Sequence, residues 1–365
     1  LPPKVHTAPR DIIVIGASAG GLAVLCALMG GLPAGFPASI FVVVHTSADN
    51  PGVLPQILAR AGPIPAAFAR DGERIERGRI YVAGPDHHLL VERGYLRVSR
   101  GPKENGFRPA IDPLFRTAAR NYGPRTIGLV LSGALNDGTH GLSQIVEAGG
   151  VALAQDPQEA LMPSMPLSAI QNVEVRRVLR SAEMAGVLAD LVREQVEDPH
   201  GDDPPVLDIA EVGDSLRHHA PTGEASGYTC PDCGGALWQL ADHGPLLRFR
   251  CHVGHAFTAE TLIARQESHL ESAMWSTLRA LEEHVVLCGR MAERAAGKGS
   301  AELARRYRRG AEEGAQRAAV IREVLDQPLI RASQPADADA LQQTHSAEAA
   351  PNQPTSAPIR TAKQR

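Results

Sequence analysis

Short, almost purely apolar runs alternate with longer stretches of mixed polarity over the first half of the chain. Asp11-Ile-Ile-Val-Ile15, Ser39-Ile-Phe-Val-Val-Val44, Thr126-Ile-Gly-Leu-Val-Leu131 and Val151-Ala-Leu-Ala154 read as buried strands. Leu22–Met29, Val53–Ala61, Asp112–Asn121 and Thr139–Ala148 read as helices between them, with Asp112 the N-cap of its helix and Pro113 in the first turn. Continuous apolar strands alternating with helices indicate a mainly parallel sheet covered on both faces. Residues 64–100 depart from this rhythm: Ile80-Tyr-Val82, Leu89-Leu-Val91 and Leu96-Arg-Val98 are separated by turn residues such as Arg93-Gly94, which predicts a β-hairpin insertion.

The second half is patterned differently. Residues 196–226 are rich in Asp, Pro, Gly and His, as in a linker. A compact Cys/His segment follows at 227–257. From 258 to 328 an apolar stripe (Ile263, Leu270, Met274, Leu278, Leu281, Val285) runs at helical spacing, and Gly297-Lys-Gly299 is placed to turn one long helix back as a hairpin. Residues 329–365 are Ala, Pro, Gln, Ser and Thr with little apolar bulk, and disorder is expected there. The expected division is therefore an extension (1–10), an α/β domain (11–195), a linker (196–226), a small zinc-ribbon-like module (227–257), a helical hairpin (258–328) and a tail (329–365).

Composition excludes some partners. The 365 residues are 43% hydrophobic and 21% charged with a net charge of −4, which gives no electrostatic footprint for nucleic acid. No stretch approaches the ~20 apolar residues of a membrane span. The N-terminal residues lack a signal-peptide core, so a cytoplasmic location is expected. Five cysteines are a poor disulfide framework.

Three of them fit a metal instead. Cys230-Pro-Asp-Cys233 followed by Cys251-His-Val-Gly-His255 has structural-zinc spacing, with Cys230, Cys233, Cys251 and His255 as ligands. His252 competes for the fourth place, but it directly follows Cys251. A closed four-ligand site implies a structural rather than catalytic zinc. The alternative is a small unmetallated domain with buried thiols.

Gly16-Ala-Ser18-Ala-Gly20 is a G-x-S-x-G run between a strand and a helix, the setting in which such a serine is lifted out of a sheet. By itself the run leaves a phosphate-binding turn open. His45 ends the second apolar strand and Asp137 follows the third, in Leu131-Ser-Gly-Ala-Leu-Asn-Asp-Gly138. Each alone reads equally as a structural histidine or a turn aspartate. Together they put a nucleophile, a base and an orienting acid on one sheet edge. The chain order Ser, His, Asp differs from the Ser, Asp/Glu, His of α/β-hydrolases.

Four linked pieces carry a family resemblance: Ile15-Gly-Ala-Ser-Ala-Gly-Gly21, Val42-Val-Val-His45, Phe107-Arg-Pro-Ala-Ile-Asp-Pro-Leu-Phe115 and Leu131–Gly138. Over about residues 11–195 the chain resembles the catalytic domain of the CheB family of chemotaxis protein-glutamate methylesterases. The resemblance implies a doubly wound α/β fold, no cofactor for catalysis, and hydrolysis of glutamate γ-methyl esters on a methylated chemoreceptor-type protein, with glutamine deamidation in many members. It implies Ser18 as nucleophile, His45 as base and Asp137 as orienting acid. Oxyanion donors are expected from the backbone near Ala19 and Ala134, and Arg108 either holds an acidic receptor segment or is a surface arginine. A chemosensory kinase or regulator is a further expected partner. Three departures stand out. Ala19 replaces a common Thr, Gly133-Ala-Leu135 replaces a common Gly-Met-Gly, and the first catalytic strand begins at Asp11, so no receiver is expected before it. The competing expectation is a catalytically idle scaffold of a chemosensory pathway.

Overall fold

A computed structural model describes residues 6–198, 223–241 and 244–326 of the chain. Most of the expected linker (all but 196–198 and 223–226) and all of the expected tail lie outside the described residues.

The chain begins with β1 (Thr7–Pro9), β2 (Ile12–Ala17), α1 (Gly21–Gly31), β3 (Ser39–Val44), α2 (Leu54–Ala61), β4 (Ala66–Phe68) and β5 (Arg79–Val82). A hairpin of β6 (His88–Glu92) and β7 (Tyr95–Ser99) precedes α3 (Ile111–Tyr122), β8 (Thr126–Val130), α4 (Thr139–Glu147) and β9 (Val151–Gln155). Then come α5 (Ser164–Asn172), β10 (Arg177–Leu179), α6 (Ser181–Leu191) and β11 (Gln195–Glu197).

Seven strands form one sheet in the order β10-β9-β8-β2-β3-β5-β4, and every neighbouring pair in it is parallel. Because successive side chains on a strand point to opposite faces, β2 sends Ile13, Ile15 and Ala17 to one apolar layer and Ile12 and Val14 to the other. Helices cover both layers, which is why the strands carry so few polar residues. After β2 the chain moves outward through β3, then returns to place β8 on the other side of β2. Ligands in open α/β sheets bind beyond the strand C-termini at such a switch point.

The structure corrects three expectations. Ile80–Val82 is not part of the hairpin; it lies in β5, parallel to β3 inside the main sheet, and only β6 and β7 pair as a hairpin. The strand series does not close at Ala154, because β10 adds a further parallel edge. Asp112 does not cap its helix. The N-cap is Ala110, without a side-chain bond, and Asp112 sits buried in the first turn, accepting the N–H groups of Gly138 (3.1 Å) and Gly141 (2.7 Å). It ties α3 to the start of α4 instead.

The C-terminal part contains a four-stranded antiparallel sheet, β12 (Gly223–Thr229), β13 (Ala236–Leu240), β14 (Arg248–Cys251) and β15 (Ala256–Thr258), in sequential order. It leads directly into α7 (Ala259–Gly297), which packs along α8 (Ala301–Asp326). Thr258 caps α7 by accepting the Thr261 N–H. Of the predicted stripe, Leu278 is buried while Ile263 and Leu270 are exposed. The small sheet packs on the α/β layer: Ala256 O accepts the Asn105 N–H at 2.7 Å, and Arg248 Nη1 donates to His140 Nε2 at 2.7 Å.

Candidate active site

Ser18, His45 and Asp137 each follow the C-terminal end of a strand, β2, β3 and β8, on either side of the switch point. The serine turn is held from below: Ser18 N–H donates to Ser132 O (2.9 Å), and the Ser132 hydroxyl donates to Ala19 O (2.8 Å). Gly20 ends the turn with φ 82°, a backbone that a side chain would strain. Gly133 lets the β8 loop approach; a Cβ there would collide with Met165 Sδ and stand 2.8 Å from Ser18 Cβ.

His45 extends the β3 ladder by donating its N–H to Ala17 O at 3.1 Å. Its ring stacks on Phe107, with centroids 3.7 Å apart and planes 6° from parallel. Nε2 lies 2.7 Å from Asp137 Oδ2, and both side chains are almost wholly buried. A proton on Nε2 leaves Nδ1 the basic nitrogen, and among the described residues Nδ1 has no hydrogen-bond partner.

The Asp137 carboxylate makes four hydrogen bonds. Besides His45, its Oδ2 accepts the Ile111 N–H (2.7 Å); its Oδ1 accepts the Asp112 N–H (3.2 Å) and Asn105 Nδ2 (2.9 Å). Those N–H groups are the unpaired donors that open α3, so a carboxylate is favoured there. Burial pushes the Asp137 carboxyl up, but the His45, Ile111 and Asn105 bonds outweigh it and hold the group below the usual carboxylate range. Beside it, burial and then the Asp137 charge push Asp112 up to about 7. The two neighbours are thus held in opposite charge preferences, one anionic and one close to neutral.

Ser18 and His45 open into a cleft of about 540 Å³ lined also by Ala19, Asp86, Lys103, Phe107 and Arg108. Among the described residues neither the Ala19 nor the Ala134 N–H has a hydrogen-bond acceptor. Arg108 does not stand free: it binds Asp86 Oδ1 through Nε (2.8 Å) and Nη2 (2.6 Å) and Gly101 O through Nη1 (2.8 Å). Arg100 binds the same Asp86, and Lys103 lines the cleft with Asp86 and Arg108, which gives this rim three cations and one carboxylate.

Sequence reasoning missed Asn105, Phe107, Asp86 and Lys103 as parts of the site. Asn105-Gly106 is a turn dipeptide, and Asn105 does adopt φ 53°. That signal marks a turn and says nothing of what the turn touches.

The second cluster lies in the small sheet. One ligand atom each from Cys230, Cys233, Cys251 and His255 falls within 4.8 Å of the other three. Cys230 Sγ and Cys251 Sγ stand 3.7 and 3.6 Å from His255 Nδ1, and Cys233 Sγ stands 3.7 Å from Cys251 Sγ. A tetrahedral ion with bonds of ~2.3 Å to sulfur and ~2.0 Å to nitrogen needs ligand atoms roughly 3.6–3.8 Å apart, so the cluster has the size for one.

Comparison with known proteins adds the following. A family model described as CheB methylesterase matches residues 13–188. Protein-glutamate methylesterase/protein-glutamine glutaminase 2 of Anaeromyxobacter dehalogenans is 39% identical over 50% of this chain and 54% of its own length. A Leptospira interrogans protein carrying the same double name provisionally is 38% identical over 51% of this chain and 97% of its own length. The chain thus spans about half of the first relative and nearly all of the second. The crystal structure of the Thermotoga maritima CheB methylesterase catalytic domain is 32% identical, covering 50% of this chain and 98% of that one, with a TM-score of 0.48.

Proposed function

Since this chain belongs to the CheB methylesterase family, we propose that it hydrolyses glutamate γ-methyl esters on a chemoreceptor-type protein through Ser18, His45 and Asp137. The observation that carries this reading is the buried 2.7 Å bond between His45 and Asp137 at the cleft that contains Ser18.

Ser18 Oγ attacks the ester carbonyl and its proton passes to His45 Nδ1. The Nε2–H stays on Asp137, whose low proton affinity keeps it a carboxylate that stabilises the imidazolium. The negative oxygen of the tetrahedral intermediate is met by the Ala19 and Ala134 N–H groups. His45 returns the proton to the departing methoxide, and methanol leaves. Water, deprotonated by the same Nδ1, then cleaves the acyl-enzyme to free glutamate and serine. A glutamine side chain would enter the same cycle and release ammonia, which the double names of the relatives support. The net positive rim around Arg100, Lys103 and Arg108 suits an acidic receptor segment.

Ser18→Ala should lower methanol release from a methylated receptor by about four orders of magnitude or more, with the melting temperature unchanged. Release that survives the substitution, or no release from wild type, would remove this reading.

Zinc is the ion we assign to Cys230, Cys233, Cys251 and His255. When bound it would cross-link the two turns of the small sheet and take no part in hydrolysis.

A further inference from the structure

Among the described residues, Asn105 is the one side chain that hydrogen-bonds both to the Asp137 carboxylate and to the C-terminal module. Its amide is fully used. Nδ2 donates to Asp137 Oδ1 and to Asp112 Oδ2, both at 2.9 Å. Oδ1 accepts the Thr258 N–H at 3.1 Å and lies 3.1 Å from the Thr261 hydroxyl, whose single proton also has the Thr258 carbonyl (3.1 Å) and the Thr258 hydroxyl oxygen (2.9 Å) as acceptors. Two donors on one side and two acceptors on the other fix which way the amide points. The donors at 258 and 261 reinforce the orientation that the two carboxylate acceptors already favour.

The contact is wider than one residue. The Thr258 hydroxyl donates to Asn136 Oδ1 at 2.8 Å, one residue before Asp137. Ala256 accepts the Asn105 N–H and donates its own N–H to Lys103 O, so β15 lies along the 103–105 segment. Glu104 and Phe107 exchange backbone hydrogen bonds, and it is Phe107 that stacks on His45. The loop from Lys103 to Phe107 is therefore pinned to β15 on one side. On the other side it touches both the base and the acid. Thr258, Thr261, Asn105 and Asn136 are all buried. Burying this many polar groups is unfavourable unless they are satisfied; Asn105, Thr258 and Thr261 are, while among the described residues Asn136 Nδ2 has no partner.

We propose that the β15–α7 junction, Ala256 to Thr261, is a positioning element of the catalytic centre. It acts through Asn105 on the Asp137 carboxylate and through Phe107 on the His45 ring. Of the two donors on Asp137 Oδ1, Asn105 makes the shorter bond; with the Ile111 N–H at 2.7 Å on Oδ2, it helps fix the rotation of the carboxylate and with it the direction in which His45 presents Nδ1. The proposal rests on the Ser18–His45–Asp137 reading above. It adds that a segment more than a hundred residues further along the chain is required for that relay to be aligned.

The test uses the full chain carrying Thr261→Val, with Thr261→Ser as the conservative control. Two readouts are followed: kcat and KM for methanol release, and the low-field NMR resonance of the proton between His45 Nε2 and Asp137. The expected result is a kcat about tenfold lower with KM within about twofold of wild type, a displaced resonance, and recovery of both in Thr261→Ser. Should Thr261→Val fail to fold, Thr261→Ala removes the same hydroxyl without added bulk. Wild-type kcat and an undisplaced resonance in a folded variant would overturn the proposal, even if its melting temperature fell. Should wild type release no methanol at all, the hydrolase reading falls separately. The resonance alone then decides whether the junction positions the His45–Asp137 pair.

Discussion

The α/β layer and the small Cys/His sheet are held together by different means. In the first, two apolar clusters sandwich seven parallel strands, with Phe41, Tyr81, Phe115 and Ile13 fully buried. In the second, the buried cluster is Cys230, Leu237, Phe249, Cys251, Phe257 and Leu262, so two of its six members are cysteines of the metal-sized site. A core that small supplies little hydrophobic stabilisation. The lesson is that the candidate catalytic groups sit at the rim of a sheet with a large apolar core of its own, whereas the module packed against them has a core built partly from its metal-sized cluster.

Metal removal should separate the two most sharply. Purified protein is expected to hold about one zinc per chain, and structural zinc contributes on the order of 10 kcal/mol to the segment that binds it. Chelation should therefore open residues 223–258 to amide exchange while β2 and β8 stay protected. Finding no zinc, or equal exchange in both regions, would erase the contrast.

A smaller effect is expected where the regions meet. Burial, then the charges of Arg248 and Arg116, push His140 down to about 3. The folded state thus keeps His140 neutral while the unfolded chain takes up a proton near its ordinary pKa of 6.5. Stability from this group is full above that value and falls as pH drops through 6.5 toward 3. Between pH 7 and pH 5 the loss is about 2 kcal/mol, and His140→Gln should flatten it in urea unfolding. An unchanged slope would show that the junction does not sense pH through this residue.

The smallest effect concerns Leu135, which holds φ 62° in the loop before Asp137. Leu135→Gly relieves that backbone, and since Leu135 is only half-buried it should raise stability by up to about 1 kcal/mol. A fall of similar size in thermal unfolding would mean that side-chain packing outweighs the strain.

The local features were legible in the sequence. Strands β2, β3, β8 and β9 are apolar enough to be read directly, and the Cys-x-x-Cys and Cys-x-x-x-His spacings are decided within a few residues. What escaped depends on distant pairing. Arg79–Val82 looks like its hairpin neighbours, and only its register with β3 places it in the main sheet. Arg177–Leu179 is three residues long and half exposed, too short for a period to show. Asp112 has the look of a cap, yet its acceptors' partners lie on α4. Asn105 draws its role from Thr258 and Thr261, more than 150 positions away. No window of sequence contains both ends of that contact.

With 39 residues, α7 is a rod about 58 Å long, rooted at Thr258. Turning such a rod by one degree at its root carries the far end through about 1 Å, while atoms ~3 Å from the pivot move by only about 0.05 Å, far less than a hydrogen bond needs to weaken. Small adjustments of the root bonds at Thr258 and Thr261 are therefore magnified at the distal turn, and a movement of that turn arrives at the Asn105 contact geared down.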